Sequence, residues 1–339
     1  MSLQPLHYST HATTLFKEAA PFLAERWADY DGFEYLLVEW LERAIVFQLP
    51  DNGQLFDNRD YRPEVMDLVR LPYPMMAIEF QADESLYVEE SGLARADKRI
   101  ALAFNPAALS LQEREYLCVL TQSSVWLSPG PRVLALLAIY APRHPEHTLV
   151  TWGFAPGFLL WDPDQDRPKS RAEVDWGAEE PVPDWAKPRR LSQHSLPVSV
   201  YPFRTRQAKL GLSDETIKSS TLSDSTDELG ATWDLLAALN CKNVGVSRQE
   251  APSALNKKRL KAGKIPFRDT MFLDIMLDSP ARQATRGSQG SHASPRAHLR
   301  RGHIRNLPPT EQREARALWI NATHVGGVPS QQKPYRVRR

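Results

Sequence analysis

Charge is segregated along this 339-residue chain far more strongly than its net charge of +1 indicates. Residues 1–240 contain 22 lysines and arginines against 35 aspartates and glutamates, a net charge of −13. Residues 241–339 contain 20 against 6, a net charge of +14. Such asymmetry is typical of a chain whose basic part contacts a nucleic acid or an acidic partner. The alternative is that the basic part docks onto the acidic part of the same chain.

Two runs in the basic part contain the candidate contact residues. In the first, six basic residues fall between Lys257 and Arg268. The second, residues 295–305, holds four arginines and two histidines. A β-strand over the second run would be basic on both faces, because successive side chains point to opposite sides, and burying unpaired charge is costly. We therefore expect both runs to contact a polyanion or an acidic protein surface. The candidate residues are Lys257, Lys258, Arg259, Lys261, Arg296, His298, Arg300, Arg301, His303 and Arg305.

The second run and the strand-like segment behind it leave two alternatives open. His298 and His303 could act as general base and acid in RNA cleavage if a bulge at Gly302 turned both imidazoles toward one phosphate. Otherwise they are further hydrogen-bonding groups on a basic surface, which is the favoured reading. Trp319, in the alternating run 318–323, is either a stacking platform for a base or a core residue of a final hairpin. The core position is favoured for Trp319.

The hydrophobic pattern predicts an α+β protein. Two amphipathic helices are predicted over Thr13–Tyr30 and Phe33–Gln48, and a later one over Asp224–Asn240. Consecutive strands after the first two helices favour N-terminal helices on a mostly antiparallel sheet, with a smaller basic C-terminal module that ends in a β-hairpin. The predicted strands are Met75–Phe80, Ser85–Glu89, Arg99–Phe104, Tyr116–Trp126, Val133–Tyr140 and Leu149–Phe154.

Composition divides the chain into three predicted parts. Residues 1–155 form an acidic α+β domain, and residues 224–339 form the basic C-terminal module. Residues 156–223 are predicted to be a linker or a surface flap, because eight prolines fall within residues 156–202. Residues 280–295 are rich in serine, glycine, glutamine and alanine, and they are predicted to be mobile.

The sequence lacks the common catalytic motifs and metal-binding patterns. It has no Walker loop, no Gly-x-Gly-x-x-Gly turn, no Gly-x-Ser-x-Gly elbow and no His-Glu-x-x-His pair, and its two cysteines cannot form a zinc ribbon. We therefore expect no cofactor and no metal, and any enzymatic activity would be that of a metal-independent ribonuclease. No apolar run reaches the length of a membrane span, and residues 1–14 lack a signal-peptide pattern. These features predict a cytoplasmic protein without membrane contact.

Three short blocks of the basic part resemble a known family. They are Val244–Glu250, the run Arg300-Arg301-Gly302-His303 that follows His298, and the strand that contains Trp319. In this order and spacing they are similar to a phage- and plasmid-borne anti-CRISPR family that inhibits type V-A (Cpf1-type) systems. The resemblance covers residues 229–327. It implies an inhibitor that lowers production of the effector nuclease by recognising the nascent polypeptide and promoting loss of its messenger RNA.

The resemblance predicts a protein of a phage or plasmid that inhibits a bacterial host-defence system. Its basic module would recognise a CRISPR effector or another host protein, as a nascent chain, or would bind the translating mRNA or the ribosome. Which of these ligands is bound stays open at this point. The residues that the resemblance assigns to this contact are Arg300, Arg301, His303 and Arg305. Two other classes compete with it: a ribonuclease that uses His298 and His303, and a protein-interaction module without nucleic-acid contact.

Overall fold

The computed structural model describes residues 4–27, 30–55, 68–82, 96–142, 152–163, 198–206, 211–276, 298–300, 303–310, 314–320, 323–325 and 336–338. Five α-helices lie within these ranges. They are α1 (Tyr8–Arg26), α2 (Phe33–Arg43), α3 (Leu111–Thr121), α4 (Asp214–Leu239) and α5 (Ser253–Lys261). Among the described residues, no helix is both long enough and apolar enough to cross a bilayer.

The same ranges contain fourteen β-strands. They are β1 (Ile45–Gln48), β2 (Met75–Gln81), β3 (Ala96–Phe104), β4 (Leu134–Pro142), β5 (Gly153–Phe154), β6 (Gly157–Trp161), β7 (Ser199–Pro202), β8 (Val244–Gln249), β9 (Thr270–Met276), β10 (His298–Arg300), β11 (His303–Leu307), β12 (Arg316–Ile320), β13 (Thr323–Val325) and β14 (Arg336–Arg338). Ten of them form one sheet in the order β14-β9-β1-β2-β3-β4-β6-β7, with β5 paired to β4 and β8 paired to β9. β1 runs parallel to β2 and β9, and β14 runs parallel to β9, whereas the other pairs are antiparallel. β10 pairs with β13, and β11 with β12.

Both faces of the ten-stranded sheet are buried, because successive side chains of its strands enter two different cores. In β2, for example, Met75 and Ala77 contribute to one core and Met76 and Ile78 to the other. The first core lies beneath α1, α2 and α3. The second lies beneath α4 and the β11–β12 pair. The predicted α+β class, with N-terminal helices on a mostly antiparallel sheet, is confirmed.

A side chain from the sheet caps the first turn of α1. His7, which precedes the helix, has a left-handed backbone (φ 58°) and makes no side-chain capping bond. Instead, Oε1 of the fully buried Glu79 accepts hydrogen bonds from the Ser9 backbone N–H at 2.7 Å and from the Ser9 hydroxyl at 2.6 Å. Burial raises the pKa of Glu79, and the bonds from Ser9 oppose this effect. A carboxylate at this position complements the positive end of the helix dipole.

Arg268 makes the converse contact at the end of α2. Its guanidinium donates hydrogen bonds to the backbone carbonyls of Leu41 and Ala44. The last carbonyls of a helix have no partner within it, and their partial negative charge favours a cation. Because Arg268 stands just before β9, this contact ties a C-terminal strand of the sheet to the helix layer formed by the N-terminal residues.

Two helix and strand assignments made from the sequence are wrong. Residues 116–126, predicted as a strand, lie in α3 and in the short 3-10 helix Ser124–Trp126. Ser110 and Glu113 form a capping box that starts α3, and such a local signal outweighs the apolar content of the run. The helix predicted over Phe33–Gln48 ends at Arg43, since β1 follows. A parallel strand buried on both faces is a continuous apolar run, which periodicity does not distinguish from a helix.

Residues 156–223, predicted to be a linker or a surface flap, contribute to the sheet and its cover wherever they are described. β6 is buried throughout, β7 pairs with it, and α4 already begins at Asp214. Gly157 in β6 permits this packing, because a Cβ there would lie 2.7 Å from the Tyr201 backbone oxygen. Within residues 156–223, the predicted linker or flap is therefore replaced by two strands of the sheet and the start of α4. Residues 164–197, the predicted strand 85–89 and the predicted mobile segment 280–295 lie outside the described residues.

Candidate functional site

Three of the predicted contact residues form an exposed basic surface on α5, the helix between β8 and β9. None of the residues of α5 is buried, and Lys257, Lys258 and Lys261 are exposed. At about 100° per helical residue, these three side chains leave the helix within an arc of about 100°. Lys264, three residues beyond Lys261, is exposed as well. We refer to Lys257, Lys258 and Lys261 as the lysine face.

Arg259, also predicted as a contact residue, makes contacts within the chain. Its guanidinium carbon lies 3.9 Å from the centroid of the Phe267 ring, and its Nε donates to the Ile265 carbonyl at 2.7 Å. The Asn256 side chain reinforces this contact, because it accepts from the Phe267 N–H at 2.7 Å and donates to the Phe267 carbonyl at 2.9 Å. Arg259 thus anchors α5 to the loop that follows it, and its predicted contact with a nucleic acid or a partner stays a prediction.

Phe267 joins this loop to the start of α1. Its ring stacks on His7 with centroids 4.0 Å apart, and it meets the edge of the His11 ring at 6.1 Å. Partial burial and the nearby Arg259 lower the pKa of both histidines, with His11 adding to the effect on His7 and Lys98 to that on His11. Since protonation of either imidazole would add a cation beside Arg259, the contact favours the neutral rings. The lysine face is thus held by an aromatic stack against the N-terminal helix layer.

The second basic run is described only in part. Arg296 and Arg301 lie outside the described residues. His298 and Arg300 belong to β10, which pairs with β13, whereas His303 belongs to β11, which pairs with β12. The two histidines that a ribonuclease mechanism would need together are thus on strands of different pairs. Arg305 is exposed on β11.

Trp319 lies in the core. It is 2% exposed, and the Asn243 side chain holds its backbone, accepting from the Trp319 N–H and donating to the Trp319 carbonyl at 2.8 Å each. The core position predicted for Trp319 is confirmed, and a base cannot stack on a ring that is buried. The adjacent Lys242 N–H donates to the Ala317 carbonyl at 3.1 Å. β8, of roughly 20 Å in length, then leads from this contact toward α5.

A buried ionic cluster that the sequence analysis missed lies between α4 and the sheet. Arg99 in β3 and Tyr140 in β4 are paired across neighbouring strands. One guanidinium nitrogen of Arg99 lies 2.8 and 2.9 Å from the two carboxylate oxygens of Glu228, which is fully buried. Asp227 lies 3.9 Å from Arg99, and the Tyr140 hydroxyl donates to Asp224 at 3.4 Å. The only sequence signal was the spacing of three acids on one predicted helix, which alone does not indicate a buried site.

The charge of Arg99 does not offset the effect of burial on the pKa values of the carboxyl groups in the cluster. Burial raises the pKa of Glu228 to about 7, although Arg99 opposes the shift. Burial likewise raises the pKa of Asp224 to about 6, against the influence of Arg99 and Tyr140, and it raises the pKa of Tyr140. Of these groups, the carboxyls of Asp224 and Glu228 have pKa values that burial moves toward neutral pH. Among the described residues, no group of three or more His, Cys, Asp or Glu side chains is arranged to hold a metal ion.

The Glu228→Gln substitution should change how stability depends on pH. Because the pKa of Glu228 is raised from 4.5 to about 7 on folding, its contribution to stability is fully present below pH 4.5 and is lost as the pH rises through about 7. Relative to Glu228→Gln, the wild type should therefore lose on the order of 1–3 kcal/mol of unfolding free energy between pH 5 and pH 8. Urea unfolding across this range measures the effect. Glu215→Gln, at a partly exposed position of α4, is the control, and a parallel pH profile for Glu228→Gln and wild type would contradict the assignment.

Comparison with known proteins adds no further constraint: no family model, curated protein or solved structure matches this chain.

Proposed function

We propose that this protein is an anti-CRISPR-like inhibitor of a host-defence system that binds the messenger RNA of its target through the lysine face of α5. The observation that supports the proposal is the exposure of Lys257, Lys258 and Lys261 on one side of a helix with no buried residue. Arg259 and Phe267 hold this helix in place, so the three ammonium groups are presented from a fixed position. The resemblance of residues 229–327 to inhibitors of type V-A systems supplies the biological class.

The chemistry of the lysine face fits phosphate better than an acidic side chain. Three ammonium groups within about 100° of a helix surface can follow successive phosphates of one strand, and lysine acts as a point charge that needs no fixed partner geometry. Such contacts position RNA without reading its sequence. They also release condensed counterions. For single strands, three such contacts contribute about 2 to the magnitude of the slope of log affinity against log salt concentration.

The triple substitution Lys257→Gln/Lys258→Gln/Lys261→Gln tests this proposal. We expect affinity for single-stranded RNA to fall at least about tenfold at low salt, and the slope of log affinity against log salt to become shallower by about 2. In bacteria that express a type V-A effector, wild type should lower effector protein and mRNA, and the triple variant should not. Fluorescence anisotropy and quantitative measurement of effector mRNA provide the two readouts.

The matched control is Lys17→Gln/Arg26→Gln/Arg70→Gln, which removes three exposed cations elsewhere and should behave as wild type. An equal loss in this control would show that net charge, and not the lysine face, is responsible. Unchanged effector levels with wild type would reject the inhibitor class. Binding of an acidic peptide in preference to RNA, with a shallow salt dependence, would replace the messenger RNA by a polypeptide ligand.

A further inference from the structure

The connection between α1 and α2 exposes aromatic side chains beside carboxylates. Phe22 and Trp27 at the end of α1 are 47% and 60% exposed, and Tyr35 in the first turn of α2 is 46% exposed. Tyr30 links them, because its N–H donates to the Trp27 carbonyl at 3.0 Å and its ring meets Tyr35 at 6.1 Å. Exposed aromatic rings of three residues so close together are uncommon on a surface that binds nothing, and Trp and Tyr are enriched in protein interfaces. We refer to these four residues, with Glu25 and Glu39, as the aromatic corner.

The corner already holds one arginine of its own chain. The guanidinium of Arg26 lies 5.3 Å from the centroid of the Phe22 ring. This is the distance at which the negative face of an aromatic ring attracts a cation. The Phe22 ring therefore already contacts a cation, whereas no cation–π contact is found for Trp27 or Tyr35 among the described residues, and these two side chains are 60% and 46% exposed.

A second arginine next to the corner, Arg206, is bound by aromatic rings and carboxylates together. Arg206 lies 5.7 Å from the Phe33 ring centroid and 5.2 Å from that of Phe154. Its guanidinium donates to both carboxylate oxygens of Asp31 at 2.7 and 2.6 Å and to those of Glu34 at 3.2 and 3.0 Å. Aromatic faces combined with carboxylates in this way select the planar guanidinium of arginine over a lysine ammonium.

The exposed part of the corner has the same chemistry. Glu25 and Glu39 are exposed, and Glu39 lies one helical turn after Tyr35, on the same side of α2. Nearby basic residues are Lys17 and Arg26, both on α1 and both exposed. Arg43, one turn after Glu39, is paired with Glu113, and Arg206 is paired with Asp31 and Glu34. Carboxylates repel phosphate, so the corner is unsuited to the RNA that we assign to the lysine face.

We propose that the aromatic corner is a docking surface for an arginine-rich segment of a partner polypeptide. Trp27 and Tyr35 stack on guanidinium groups, and Glu39, one helical turn from Tyr35, accepts their hydrogen bonds. The inference is independent of the proposed function, because it involves other residues and no nucleic acid. It gives the protein a polypeptide contact in its acidic part, separate from the basic lysine face.

The experiment uses the full chain and a nine-residue peptide that carries three arginines separated by glycine pairs, together with the same peptide carrying lysines. Isothermal titration calorimetry at low ionic strength should show tighter binding of the arginine peptide by about fivefold or more. Trp27→Ala/Tyr35→Ala should weaken its binding about tenfold, since two exposed cation–π contacts are lost. The matched control is Leu111→Ala/Val119→Ala, which truncates two exposed apolar side chains of α3 and should leave binding unchanged.

Three results would overturn the proposal. One is the absence of peptide binding. Equal binding of the two peptides counts equally, since it would show that the surface attracts positive charge without selecting the guanidinium group. Another is an equal loss of affinity in the α3 control. The third is concentration-dependent self-association of the wild type in sedimentation experiments that Trp27→Ala/Tyr35→Ala abolishes, because the corner would then bind a second copy of the chain. RNA binding measured on the same variant stays at the wild-type value if the two surfaces act separately.

Discussion

Glu79→Ala should lower the free energy of unfolding by about 3–5 kcal/mol. The substitution removes the buried carboxylate that accepts two hydrogen bonds from Ser9 and leaves the first turn of α1 without its cap. It also removes the negative charge that stabilises the protonated form of the half-buried Arg268. Urea unfolding monitored by circular dichroism measures the loss as a lower midpoint at an unchanged slope.

Two variants separate the components of this effect. Glu79→Gln keeps the shape and one oxygen that can accept from Ser9, so it should cost only about 1–2 kcal/mol. Combining Glu79→Gln with Arg268→Met should cost less than the two single changes together, because the two side chains influence each other electrostatically. If Glu79→Ala unfolded at the wild-type urea midpoint, water and not Glu79 would satisfy the backbone N–H groups at the start of α1.

Trp319→Ala should also lower the free energy of unfolding by about 3–5 kcal/mol, since it leaves a cavity in the core beneath α4 and the β11–β12 pair. Affinity for RNA, measured where the variant is folded, should stay at the wild-type value. If Trp319 were a stacking platform for a base, Trp319→Ala would instead weaken RNA binding and change the free energy of unfolding little. Thermal unfolding and fluorescence anisotropy on the same preparation distinguish the two roles.

Neighbouring substitutions provide the controls for Trp319. Leu318→Ala, at a half-buried position whose side chain points to the opposite side of β12, should cost about 1 kcal/mol or less. Asn243→Ala should cost about 1–3 kcal/mol, because it removes the two hydrogen bonds to the Trp319 backbone. A small loss for Trp319→Ala together with a large loss for Leu318→Ala would contradict the orientation of the strand.

Local sequence signals predicted those parts of the fold whose residues interact with near neighbours or with solvent. The strands at 75–81, 96–104 and 134–142 were predicted within a few residues, because each is an apolar run between turn signals. The exposed position of Lys257, Lys258 and Lys261 followed from charge alone, since lysine is rarely buried without a partner.

Signals of the same kind failed where apolar runs were ambiguous. β1 was predicted as the end of a helix, and α3 as a strand, because a short buried run satisfies either period. β6 and β7 were missed because prolines surround them, although β6 is apolar and the two strands pair in the sheet. For β1, β6 and β7 the pairing partner, which lies far away in the sequence, determines the element, whereas the local capping box of Ser110 and Glu113 determines α3.

The roles of individual charged side chains were set by contacts across long sequence separations. Glu79 meets Ser9 over 70 residues, Arg99 meets Glu228 over 129, and Arg206 meets Asp31 over 175. No local pattern reports such partners, and Arg259, which looks like its lysine neighbours in the sequence, became an anchor only through Phe267. Composition and periodicity thus determine the α+β class and the exposed basic helix, because these depend on the transfer of side chains between water and a core. Which charges are buried, paired or available depends on the packing of distant strands and helices, and therefore on the three-dimensional arrangement.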